Sequence, residues 1–122
     1  MLDQFKAMGA IAGLLKDKDK VKAASDRVRA KLEATRVEGS AGGGAVRATV
    51  TGTAKVLRVS IDPAIGAGFA SEESREFAEA LVAEAVNDGL LKAREAAQTI
   101  VEAEAQEMGL SDMIPGLKNF LP

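Results

Sequence analysis

The chain has 122 residues, 47% of them hydrophobic and 28% charged, with no cysteine, histidine, tryptophan or tyrosine. That length suits one domain with a modest core, and the composition excludes disulfides, Cys- or His-based metal sites, thiol nucleophiles and a histidine general base. The net charge of −2 hides a division: nine Lys/Arg face five Asp/Glu over residues 1–36, three face one over 37–60, and four face twelve over 61–122, so an anionic partner would meet the first half.

No segment approaches the roughly 20 apolar residues needed to span a bilayer. The N-terminus lacks the charge–apolar–small order of a signal peptide. The expectation is a soluble cytoplasmic protein without a membrane partner.

Residues 2–36 read as one long helix or two collinear ones. Leu2, Phe5 and Met8 make an apolar stripe at its start, and Gly9 and Gly13 each cost about 1 kcal/mol relative to alanine. Farther on, Val21, Ser25, Val28, Leu32 and Thr35 follow the alternating steps of three and four of a coiled-coil seam. Residues 35–39 read as a short first strand, and the glycine-rich residues 40–45 as a turn. A phosphate cradle is rejected there, because no Gly-Lys-Ser/Thr closes the loop and a strand follows where a helix N-terminus is needed.

Residues 46–63 carry the one long alternation of period two. Val46, Ala48 and Val50 oppose Arg47, Thr49 and Thr51; Leu57, Val59 and Ile61 oppose Arg58, Ser60 and Asp62. This is a hairpin, with Gly52 expected to supply the positive φ of a two-residue turn and Pro63 to end the second strand. Residues 65–69 read as a loop. A helix of about 37 residues then starts at a Ser71 cap and ends near Gly109, far above the usual length of about 11–12. Its apolar stripe runs through Phe77/Ala78, Leu81/Val82, Ala85/Val86, Leu90, Ala93, Ala97 and Ile100/Val101.

The order predicts an α+β fold: long helix, three-stranded antiparallel sheet, long helix (α-β-β-β-α). Residues 1–110 form one domain and 111–122 an apolar tail broken by Pro115 and Gly116. One small subunit cannot bury all these stripes, so a homodimer is expected, with Val46, Val50, Leu57, Val59, Ile61, Leu81 and Asn87 in the core or the dimer contact.

Val37 through Gly52 resembles the strand–glycine-loop–strand segment of the YbaB/EbfC family of bacterial nucleoid-associated proteins. Val59-Ser-Ile-Asp-Pro63 resembles that family's strand end. Leu81 through Ala93 resembles the start of its second helix, with Asn87-Asp88 the most distinctive pair. The resemblance covers about residues 20–108. It implies a tweezer-like homodimer whose helices project from a central sheet and which binds double-stranded DNA, with a role in nucleoid organisation or gene regulation. The chain departs from the family pattern in a more apolar start to the first helix. It also has a strongly acidic C-terminal half, which argues against DNA contact by the second helix.

Phosphate neutralisation by Lys and Arg supplies most non-specific DNA affinity. The candidates are Lys16, Lys18, Lys20, Lys22, Arg27, Arg29 and Lys31, with Arg47 and Arg58 secondary. Asp17, Asp19 and Asp26 blunt the field, and a solvated face with local ion pairs is the alternative on the residues alone. Lys20 and Arg27 share one face; Lys18, Lys22 and Arg29 lie on another. The strands carry no aromatic residue for base stacking, so weak, largely non-specific duplex binding is expected. Glu76, Glu79, Glu84, Asp88 and Glu95 read as a solvated helix face and not as paired catalytic acids. No enzyme activity, cofactor, metal or small-molecule substrate is expected, and Asn87-Asp88 is assigned a structural role toward the sheet or the dimer mate. The competing reading is a dimeric protein–protein adaptor that docks through its apolar N-terminus and tail.

Overall fold

The computed structural model describes residues 18–108. Helix α1 spans Lys18–Ala34. Strands β1 (Arg36–Ala41), β2 (Val46–Thr51) and β3 (Val56–Ile61) follow, then short helical turns at Pro63–Gly66 and Ala67–Ala70, and helix α2 at Glu72–Glu107. The sheet is antiparallel in the order β1-β2-β3, so the α-β-β-β-α order stands. The apolar start of the first helix, Lys16 and the 111–122 tail lie outside the described residues.

The period-two pattern sends Val46, Ala48 and Val50 to one face of the central strand, where all three are fully buried under α2. Leu81 and Ala85 of α2 meet Ala41, Val46 and Ala48 there, with Ile65, Val82 and Val86 packed around them. Among the described residues the core is made mostly of small side chains; Val46 and Val50 are the largest that are fully buried.

Glycines set how close α2 comes. A Cβ on Gly39 of β1 would sit 2.0 Å from the Gly89 nitrogen, and one on Gly89 would sit 2.7 Å from Val50 Cγ2. Gly89 lies on the stripe between Ala85 and Ala93, so a residue that weakens an isolated helix is here the point of closest contact with the sheet. Phe77, expected on that stripe, is 64% exposed. The stripe turns instead through Ala78, Leu81, Ala85, Gly89 and Ala93.

Two loop expectations need correction. Gly52 does not take positive φ; Ala54 does, at +64°. Its N–H donates to Thr51 O at 3.0 Å, and the Thr51 N–H donates to Lys55 O at 2.9 Å, which makes a longer turn than two residues. Gly52 is required by proximity: a Cβ there would lie 2.7 Å from Leu32 O, which accepts the Gly52 N–H at 3.0 Å. Residues 65–69 are helical turns, launched by Pro63 at a first helical position where its missing N–H costs nothing. The glycine turn after β1 behaves as expected of a turn, with Gly42, Gly43 and Gly44 all at positive φ.

A bulge between Thr49 and Val50 changes which β3 residues share the helix-side face. Val46 pairs with Ile61 and Ala48 with Val59, but Val50 pairs with Val56, so Leu57 drops out of the alternating series. In the single chain Leu57, Val59 and Ile61 lie outside the buried core and are exposed, as is Val56. The reason is geometric: α2 lies over β1 and β2, leaving the β3 edge uncovered.

Candidate nucleic-acid interface

Helix α1 runs back along the C-terminal half of α2, where Ala24 and Ala105 are both buried and allow close approach. Its covered face is shifted from the predicted seam: Ala24 is buried and Val28 and Leu32 are half-buried, whereas Val21 and Ser25 are exposed. The two helices form one antiparallel arm, with the start of α1 beside the end of α2.

The six basic candidates among the described residues divide by face. Arg27 and Lys31 turn toward α2. Arg27 Nε and Nη2 donate to Glu104 Oε1 at 2.9 and 2.5 Å, and Lys31 Nζ lies 3.7 Å from Glu104 Oε2. Glu104 is 3% exposed, and its Oε2 has no hydrogen-bond partner, with Lys31 Nζ 3.7 Å away. Lys18, Lys22 and Arg29 share the other side of α1, all exposed. Lys20 is exposed on the Arg27 side and has an interaction of its own. The sequence reading missed Glu104. The signal was its position: it falls three and four residues after Val101 and Ile100, an acid on an otherwise apolar stripe.

Asp88 performs the structural role expected of the Asn87-Asp88 pair, toward the sheet. Its Oδ2 accepts the Ser40 backbone N–H at 2.9 Å, and Lys92 Nζ lies 3.1 Å from the same oxygen while donating to Glu38 O at 3.1 Å. The Ser40 N–H first, and the Lys92 ammonium second, hold the Asp88 carboxyl below its usual range; desolvation opposes them. These side chains satisfy outward backbone groups of β1 that would otherwise form an open sheet edge. Asn87 is exposed. Glu76, Glu79, Glu84 and Glu95 are exposed, as a solvated face requires.

On the sheet face opposite α2, Arg47 and Arg58 are exposed, and their side chains make no hydrogen bond or ion pair among the described residues. Among those residues no group of three or more Asp/Glu side chains is placed to hold a metal ion, and no helix is long and apolar enough to cross a membrane.

The fold is similar to a solved structure, the crystal structure of uncharacterized protein HP0035 from Helicobacter pylori. The TM-score is 0.54 at 22% identity, covering 68% of this chain and 92% of that one. Residues 8–108 match the model of the YbaB/EbfC DNA-binding family. The match takes in both helices of the arm, the whole sheet and the Asn87-Asp88 pair, and the chain therefore belongs to the YbaB/EbfC family of nucleoid-associated DNA-binding proteins.

Proposed function

We propose that this chain acts as a cytoplasmic homodimer that binds duplex DNA weakly and largely without sequence preference through the basic first helix. Its role is in nucleoid organisation or gene regulation. Membership of a DNA-binding family is the observation that carries the reading. Lys18, Lys22 and Arg29 are its main contacts, while Arg27 and Lys31 contribute less because Glu104 already engages them, and Lys20 adds to the same basic helix while holding an interaction of its own. Dimerisation is supported by the exposed valines and isoleucine of β3, and by the capped state of β1, which among the described residues leaves β3 as the open edge of the sheet. The adaptor reading draws support from Phe77 and Leu91, which are 64% and 52% exposed on the acidic helix.

The test is a fluorescence-anisotropy titration of duplex DNA at several salt concentrations. Binding should weaken linearly in log K against log salt, with about 4–8 phosphates contacted by a dimer. Replacing Lys18, Lys20 and Lys22 by Glu should abolish binding and leave the dimer intact. Unchanged binding by that variant would sink the helix assignment, and no binding by wild type at low salt would turn the search to a protein partner.

A further inference from the structure

The sheet has two unlike faces. One is buried under α2; on the other, Glu38, Ser40, Arg47 and Arg58 are exposed. The register places Ser40 beside Arg47 and Arg47 beside Ser60, then Glu38 beside Thr49 and Thr49 beside Arg58. Arg47 and Arg58 are therefore diagonal neighbours on adjacent strands, about 7–8 Å apart at Cα. Two guanidinium groups at that spacing repel each other unless an anion lies between them. No carboxylate of the described residues does so: Glu38, the one acid among these register positions, forms no ion pair with either.

We propose that this open face, through Arg47 and Arg58 with the hydroxyls of Thr49 and Ser60, is a second contact surface for the phosphate backbone of duplex DNA, separate from the α1 contacts. The inference rests on the DNA-binding reading above and extends it to a surface on the sheet. Guanidinium groups match phosphate oxygens in geometry as well as charge, and hydroxyls add neutral donors, which is the usual make-up of backbone contacts. The face carries no aromatic side chain, so stacking on unpaired bases is not available and the duplex is the fitting form. The acidic outer surface of α2 lies on the far side of the domain. Its field therefore orients an approaching duplex toward the sheet and α1.

The experiment compares the full chain with R47Q/R58Q and R47K/R58K, using a labelled duplex of random sequence and a salt series. Each phosphate contact contributes about 0.9 to the slope of log K against log salt. The glutamine variant should lower the slope by up to about 2 per subunit, equally for unrelated sequences, while the lysine variant keeps it. Both positions are exposed, so circular dichroism and the urea midpoint should stay at wild-type values. A glutamine variant with wild-type slope and affinity overturns the inference, as does a lysine variant that loses the slope equally. Loss of binding in the Lys18/Lys20/Lys22 variant alongside an unaffected R47Q/R58Q would leave the helix reading standing and remove only the sheet contact. No binding by wild type would overturn both.

Discussion

At the scale of single residues, the contact between Gly39 and Gly89 fixes the distance between helix and sheet. A Cβ on Gly89 would meet Val50 Cγ2 at 2.7 Å, and Val50 is a stiff β-branched side chain with 0% exposure, so the overlap is not relieved without shifting the core. Gly89→Ala is therefore expected to cost at the upper end of the about 1–3 kcal/mol typical of overpacking, despite alanine's better helix propensity. Gly66→Ala, where nothing lies within 4 Å and φ is not positive, should be neutral or stabilising by about 0.4–1 kcal/mol. Urea denaturation of the pair decides the matter, and equal midpoints would refute the packing account. Asp88 makes a second prediction. Its folded-state carboxyl is held below the ordinary value of 3.8, so its contribution is fully present above that pH and is lost as pH falls through the lowered folded value. Asp88→Asn keeps an acceptor for the Ser40 N–H but not the charge. It should be less stable than wild type near neutrality, with the gap closing below about pH 4; a gap that stays constant down the acid limb would exclude the charge as its cause. Much at this scale was legible, because period and residue type placed Val46, Val50, Leu81 and Asp88. The reason for Gly52 was not, since a backbone approach from Leu32 leaves no mark in local sequence.

At the scale of elements, the arm of α1 and α2 is joined by small residues and one buried carboxylate. Glu104 is almost wholly enclosed, whereas the side chains of Arg27 and Lys31 are about half exposed. Deleting either partner therefore has unequal consequences. Glu104→Gln leaves two cations that water can still reach, and should cost about 1 kcal/mol, discounted for that exposure. Arg27→Met leaves the buried carboxylate without its closest ion pair and with Lys31 at 3.7 Å, and should cost more, about 3 kcal/mol. Hydrogen exchange of the α1 amides should rise in both variants, and further in Arg27→Met. If Glu104→Gln proves the more damaging, Arg27 is not what compensates the buried charge. The lengths of both strands in the hairpin and of α2 could be read from periodicity and turn residues. The β3 bulge could not, and it exchanged Leu57 for Val56 on the helix side. A bulge follows from how two strands coil together, and one strand's alternation does not encode it.

At the scale of the whole molecule, the subunit is thinly filled. Among the described residues the largest fully buried side chains are two valines, while four aliphatic residues of β3 stand exposed along one strand. A small domain with so little apolar volume enclosed is marginal alone. A long, apolar, open strand is also the kind of edge that single-chain proteins cover or charge. The two edges differ here in an instructive way: Asp88 and Lys92 occupy the outward groups of β1, and among the described residues nothing comparable guards β3. The excess of apolar stripes is what raises the expectation of a partner in the sequence, but which edge stays open depends on where α2 lies across the sheet. Val59→Asp tests this directly. Val59 is 37% exposed in the single chain, so an aspartate there can reach water and the subunit should keep its fold. In a dimer closed over β3 the same carboxylate would be buried without a partner, at about 3 kcal/mol or more, which raises the dissociation constant by about 100-fold or more. Light scattering should give a dimer for wild type and a monomer with native circular dichroism for the variant. A wild-type protein that is a stable folded monomer would refute the assembly. A Val59→Asp protein that remains dimeric would instead move the contact away from β3.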